Sequence, residues 1–159
     1  MTPCKQLVQH DPANKQFGDC ARAVVACMLD LQPQRVPHFA EASTDGYNEA
    51  LYWERLNSFL DTLSLSWVGV PVTGSVPDVL ATMEYNNPGV YYIMGCVSHT
   101  AKHYVVCCGD RIVCDPAFGG PYGAAHLRAQ DDGLVWVHFL VHNSFTEKWR
   151  HRRVQGVKV

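Results

Sequence analysis

The sequence predicts an α+β domain, with helices gathered in its first half and an antiparallel sheet in its second. Three observations predict it. Apolar residues follow a helical period only before about residue 85, whereas short apolar runs split by Gly and Pro fill the rest. The 159 residues are about one domain's worth and can bury roughly 68–70% of the unfolded surface. Apolar residues make up 47% and charged residues 18%, below the usual charged share of about 25%, which excludes disorder as the main state.

Residues 1–18 carry Pro3, Pro12 and Gly18 among polar neighbours and predict an extended arm and loop. A helix is predicted from Cys20, N-capped by Asp19, with apolar positions at 20, 21, 24, 25, 27, 28 and 31. Gln32-Pro33 ends it, because the residue before proline avoids the helical region. A second helix fits Asn48 to Leu63, with Leu51, Tyr52, Leu56, Phe59, Leu60 and Leu63 on one stripe. Ser66 to Val72 predicts a short strand. Ser75 and Pro77 open a third helix over about Val76 to Met83, stopped near Asn86-Asn87-Pro88.

Val90 to Val97 is a continuous apolar run, the mark of a strand buried on both faces. His103 to Cys108 and Arg111 to Asp115 flank Gly109-Asp110 and predict a hairpin. A Gly- and Pro-rich loop follows from Asp115 to His126, and Leu134 to His142 is the last strand. The domain is expected over 1–146. The tail, 147–159, sets five basic residues against one acid and reads as a solvated terminus or a phosphate-binding patch.

Thirteen Lys plus Arg against fifteen Asp plus Glu give a net charge of −2, which offers no general footprint for nucleic acid or anionic lipid. No run approaches the length of a membrane span, and the N-terminal segment lacks a signal peptide's charged-then-apolar layout. A soluble intracellular protein is the expectation. Seven cysteines are too few for a disulfide scaffold and odd in number, so at least one thiol stays free. Cys20 and Cys27 lie about 10 Å apart along a helix, too far to pair. No CxxC occurs. Cys107, Cys108 and Cys114 with nearby histidines are conceivable metal ligands, but buried strand thiols are the plainer reading.

Gly18-Asp19-Cys20 carries the most chemistry. Gly18 permits a close backbone approach, and Cys20 occupies the first helical position. There, unpaired N–H groups and the helix dipole favour a thiolate, the nucleophilic form. Cys27, deeper in the apolar helix, reads as structural. A nucleophilic cysteine needs a base, and the base an orienting group. His103 opens one strand of the hairpin and Asp115 closes the other. A three-residue turn, Cys108-Gly109-Asp110, pairs them directly, whereas the locally favoured two-residue Gly109-Asp110 turn puts them on opposite faces unless a bulge intervenes. His99 in SHTAKH is the alternative base or a solvated loop residue. His38 packs in the turn after the first helix, and His126, His138, His142 and His151 suggest no partner. Trp53, Trp67, Trp136 and Trp149 read as core or groove-lining rings.

In KQ at 5–6, GDCARAVVACMLDL at 18–31, VPHF at 36–39, HYVV at 103–106 and VCDP at 113–116, the chain resembles the papain-like cysteine peptidase superfamily. It is most similar to small papain-fold proteins of phages and bacteria whose nucleophile helix opens with Gly-(Asn/Asp)-Cys. The resemblance implies a nucleophile helix packed on an antiparallel sheet, with Cys20 as nucleophile, His103 as general base and acid, and Asp115 as its orienter. It makes Gln6 the oxyanion-hole side chain. Papain keeps that Gln six residues before its Cys, a place held here by Asn14, so Gln6 fits only the narrower group and Gln9 or Gln16 are alternatives.

The expected function is that of a cysteine-dependent hydrolase or acyltransferase, of peptidase or amidase type, working through a thioester. Its substrate is a peptide, a protein or a small amide, and no metal or organic cofactor is implied. The alternative is a non-enzymatic papain-fold module that binds a peptide or host protein. Nucleic acid is a remoter partner, resting on the basic tail alone. The resemblance implies a cytoplasmic setting, that of the host cell for a phage protein.

Overall fold

The computed structural model describes residues 1–41, 46–98, 101–118 and 126–144. The basic tail, His99, Trp149, His151 and much of the Gly/Pro-rich loop lie outside them. The chain is mixed α+β. Among the described residues three α-helices, α1 (Cys20–Met28), α2 (Glu49–Thr62) and α3 (Val76–Asn86), accompany six strands. These are β1 (Leu65–Thr73), β2 (Tyr91–Ser98), β3 (Ala101–Cys108), β4 (Arg111–Cys114), β5 (Leu127–Arg128) and β6 (Leu134–His142). The strands form one sheet of order β1-β6-β2-β3-β4, with β5 pairing β2, and every pairing is antiparallel. Among the described residues no helix is long and apolar enough to cross a membrane.

Alternation along β2 divides the core. Tyr92, Met94 and Cys96 point to α3, meeting Val76, Val79, Leu80 and Met83, while Ile93 points to Val24 and Cys27 of α1. On the α1 side, Leu56 and Leu60 of α2 close the layer with Val36 and Phe39 from VPHF. The sheet is therefore covered on both faces, which is why β2 reads as an unbroken apolar run.

Helix ends follow local chemistry with two shifts. The Asn48 side chain caps α2 by accepting from Leu51 N–H at 3.0 Å, and Ser75 and Asp78 form a reciprocal capping box on α3. Helix α3 continues past Met83 to Asn86, where the Asn86-Asn87-Pro88 stop is expected. Helix α1 stops early, at Met28 rather than at Gln32-Pro33. Asp30 takes a left-handed φ of 55°, Leu31 N–H bonds Ala26 C=O at 2.9 Å, and Asp30 N–H bonds Cys27 C=O at 3.4 Å. That is a Schellman closure made without glycine. The Asp30 carboxylate is occupied by the N-terminal ammonium at 2.8 Å and the Thr2 hydroxyl at 2.7 Å.

Candidate active site

Cys20 is the first residue of α1 and is half-buried. Asp19 stands at the N-cap position, but its side chain makes no capping bond, contrary to the sequence expectation. The tertiary demand won. Its side chain is fully buried and faces the N-terminal arm, accepting from Leu7 N–H at 3.0 Å and Val8 N–H at 2.8 Å. Arg22, one turn along α1, is its ion-pair partner and donates Nε–H at 2.6 Å. Gly18 earns its place by proximity, since a Cβ there would stand 3.1 Å from His10 Cβ and 3.2 Å from His10 N. Glycine and aspartate thus lash the arm to the helix end that carries the thiol.

His103 lies on β3 and Asp115 just beyond β4. The hairpin uses the two-residue turn, with Cys108 facing Arg111, Cys107 facing Ile112, and Gly109 at φ 57°. That register alone would turn His103 and Asp115 to opposite faces, so the direct pairing through a three-residue turn does not occur. A bulge rescues them. Val106 faces Cys114, leaving Val113 as an extra residue, and one inserted residue reverses the facing of all that follows. Asp115 arrives on the face of His103, and its Oδ1 lies 2.8 Å from His103 Nε2. Both side chains are only 8% exposed.

Burial alone would lower the His103 pKa, but hydrogen bonds to Asp115 and to the Cys20 thiol, with the charges they carry, raise it to about 9. Burial acts on Asp115 in the opposite sense to its bonds. His103 and the Ala117 N–H hold its carboxyl below the usual range, with help from the Lys5 charge. With Nε2 committed to Asp115, the other ring nitrogen, Nδ1, is the one left for the thiol.

The arm crosses beside this pair. Lys5 Nζ donates to the carbonyls of Asp115 at 3.0 Å and Ala117 at 2.8 Å, and Gln6 N–H donates to Pro116 C=O at 3.0 Å. Gln6 is buried and lines a cavity of about 280 Å³ together with Cys20 and His103. Gln9 lines the same cavity but is exposed. The Gln16 amide is spent on Gln9 C=O at 2.8 Å, and Asn14 on Asp11 at 2.7 Å, within the arm's own turn. Of the candidate amides, Gln6 alone is buried with the thiol and the imidazole.

A second cavity of about 350 Å³ also reaches Cys20, and His10, Gly18, Ala101 and Lys102 border both. Cys20 therefore borders both cavities. Among the other described histidines, His10 borders both cavities, whereas His138 and His142 lie on β6. His138, for which the sequence suggests no partner, accepts the Trp67 indole N–H at 2.9 Å, in space left by Gly69 and Gly95. Burial lowers its pKa to about 4, so it is a neutral core imidazole. His142 also has a partner, Ser144 Oγ at 2.9 Å. His38 is half-buried, and burial lowers its pKa. Cys107 and Cys114 are buried, and no three His, Cys, Asp or Glu side chains among the described residues gather as metal ligands.

Sequence reasoning leaves a bulge open without placing it at Val113, and it misses the Asp19 tether and the Lys5 clamp, of which only Lys5 left a trace, as half of the KQ dipeptide. A thiol at a helix N-terminus, an imidazole and a buried carboxylate in this order can exchange one proton and form a thiolate–imidazolium pair. No family profile matches the chain, and comparison with curated proteins and with solved structures finds nothing similar.

Proposed function

We propose that this protein is a papain-like cysteine hydrolase or acyltransferase acting on an amide-type bond. The buried His103–Asp115 hydrogen bond beside the Cys20 thiol carries the reading. Cys20 passes its proton to His103, and the thiolate attacks the substrate carbonyl carbon. The oxyanion forms against the Cys20 N–H and the Gln6 amide, the preorganised donors that such a step needs. The C–N bond then breaks, and the leaving amine takes the proton from His103, leaving a thioester on Cys20. Water, or another nucleophile, gives a proton to His103 and attacks the thioester. The C–S bond breaks, the product leaves, and the thiol is restored. Asp115 keeps the ring oriented and stabilises its cation throughout, as the acid of a triad does.

Incubation with p-nitrophenyl acetate tests the reading. A burst of p-nitrophenol and an acetyl group on the tryptic peptide 16–22 are expected, both absent from Cys20→Ser. Acetylation of other cysteines with none on Cys20 would overturn it and favour a binding module on the same scaffold.

A further inference from the structure

The two cavities that meet at Cys20 have contrasting walls. Aromatic rings, Phe17, Tyr47, Trp53 and Tyr104 among them, line the larger one together with Glu49. Gln6, Gln9, His10, Ser98, Lys102 and His103 line the smaller, and among the described residues no acid does. The sequence around these positions is equally bare of acids, since residues 97–109 and 116–130 hold no Asp or Glu. The carboxylates beside the site are already engaged. Asp19 is held by Arg22 and the Val8 N–H, and Asp115 by His103 and the Ala117 N–H. Lys102 borders both cavities, yet among the described residues it has no ion-pair partner, Glu49 included. His10 accepts the Gly18 N–H on Nδ1 at 3.3 Å, so the neutral ring carries its proton on Nε2 and remains a donor. Donors and a cation with no acid among them favour an anion.

Proton delivery decides which part of a substrate enters each cavity. The leaving amine takes its proton from His103, and His103 lines the smaller cavity but not the larger. The leaving group therefore belongs in the smaller cavity and the acyl group in the larger. We infer that the smaller cavity selects an amine that bears a carboxylate, which Lys102 and His10 receive. The inference rests on the acyl chemistry proposed for Cys20. An amine that accepts the acyl group enters the same cavity, because its attack retraces the departure of a leaving amine. Its nitrogen attacks the thioester carbon and gives a proton to His103. The C–S bond breaks, the amide leaves, and the Cys20 thiolate recovers that proton. An amine with a second positive charge is repelled by Lys102.

The protein is acetylated on Cys20 with p-nitrophenyl acetate, and N-acetylated products are measured by mass spectrometry with amines at equal free-base concentration. Glutamic acid α-amide is set against glutaminamide and argininamide, and glycylglycine against glycylglycinamide, so side-chain and terminal carboxylates are read separately. At least one carboxylate is expected to yield about 2–5-fold more product than its neutral partner, the factor for an exposed ion pair, with argininamide the poorest acceptor. Sodium chloride at about 1 M shrinks the preference, and Lys102→Gln removes it. Arg111→Gln, at the opposite end of the β3–β4 hairpin, leaves it unchanged. Equal or absent yields within both pairs, argininamide as the best acceptor, or a preference that Lys102→Gln leaves intact overturn the proposal. If no acetyl group reaches Cys20, the acyl-transfer reading fails and the cavity is judged by the ratio of iodoacetate to iodoacetamide alkylation at Cys20. A ratio above that of free cysteine that falls in Lys102→Gln upholds an anion-selecting cavity. A ratio no higher than that of free cysteine, or one that Lys102→Gln leaves unchanged, overturns it.

Discussion

Helix α1 carries two thiols in contrasting surroundings. Cys20, at its first residue, borders two cavities and is a hydrogen-bond partner of His103. Cys27, two turns on, is fully buried against Cys114 and Cys4. Cys4 donates to Ala23 C=O at 3.1 Å, and Cys114 donates to Cys4 C=O at 3.4 Å. The bond that Cys27 shares with Cys114 pushes the Cys27 thiol up and the Cys114 thiol down, while burial lifts Cys4 to about 11. Three sulfurs lie together there, but no imidazole among the described residues joins them and Cys114 is only 1% exposed. Sulfur alone makes no nucleophile; a charge partner and an open approach do.

Removing the partner is expected to have the largest effect. His103→Ala should cut turnover of p-nitrophenyl acetate about 10²–10⁴-fold, the usual contribution of a positioned acid–base group, and leave the buried sulfurs as they are. Next comes Gln6→Ala, expected to lower kcat about 10²–10³-fold as loss of one oxyanion donor does, while Gln16→Ala stays within about twofold. Equal losses for the two amides would break the assignment of Gln6.

Asp19→Ala should loosen the arm over residues 6–8 and lower kcat more than it raises KM, with Asp19→Asn recovering part of the loss because one acceptor remains. A pH series sharpens the same contrast. The fold raises the His103 pKa from 6.5 to about 9, so its stabilisation is full below about pH 6.5 and is lost as pH rises through about 9. Asp115, held below 3.8, contributes above that value and fades on acidification. The melting-temperature gap between wild type and His103→Ala should therefore narrow as pH climbs from 6.5 past 9. The smallest effect on chemistry belongs to Cys27→Ala, which should cost about 1–2 kcal/mol of stability by emptying core volume and leave Cys20 reactivity unchanged.

The sequence made the helices, the β2 run and the order Cys20, His103, Asp115 legible, because periodicity, caps and turn residues are local signals. What escaped it was set by tertiary contact. Val113 is an ordinary β-former with nothing to mark it as a bulge, yet it decides whether His103 meets Asp115. Asp19 before a helix reads as a cap until the arm's N–H groups are known to lie beside it. Helix α1 ends early because Asp30 accepts a left-handed φ that sequence would sooner assign to glycine or asparagine.

The most direct test of the account is the rate at which iodoacetamide modifies each cysteine at pH 6, read by mass spectrometry of tryptic peptides. Cys20, on peptide 16–22, should react faster than every other cysteine and at least about tenfold faster than free cysteine, because it alone combines a helix N-terminus, an imidazole partner and an open approach. His103→Ala should abolish that advantage. If Cys20 reacts no faster than free cysteine, or His103→Ala makes no difference, the account of an activated thiol is contradicted.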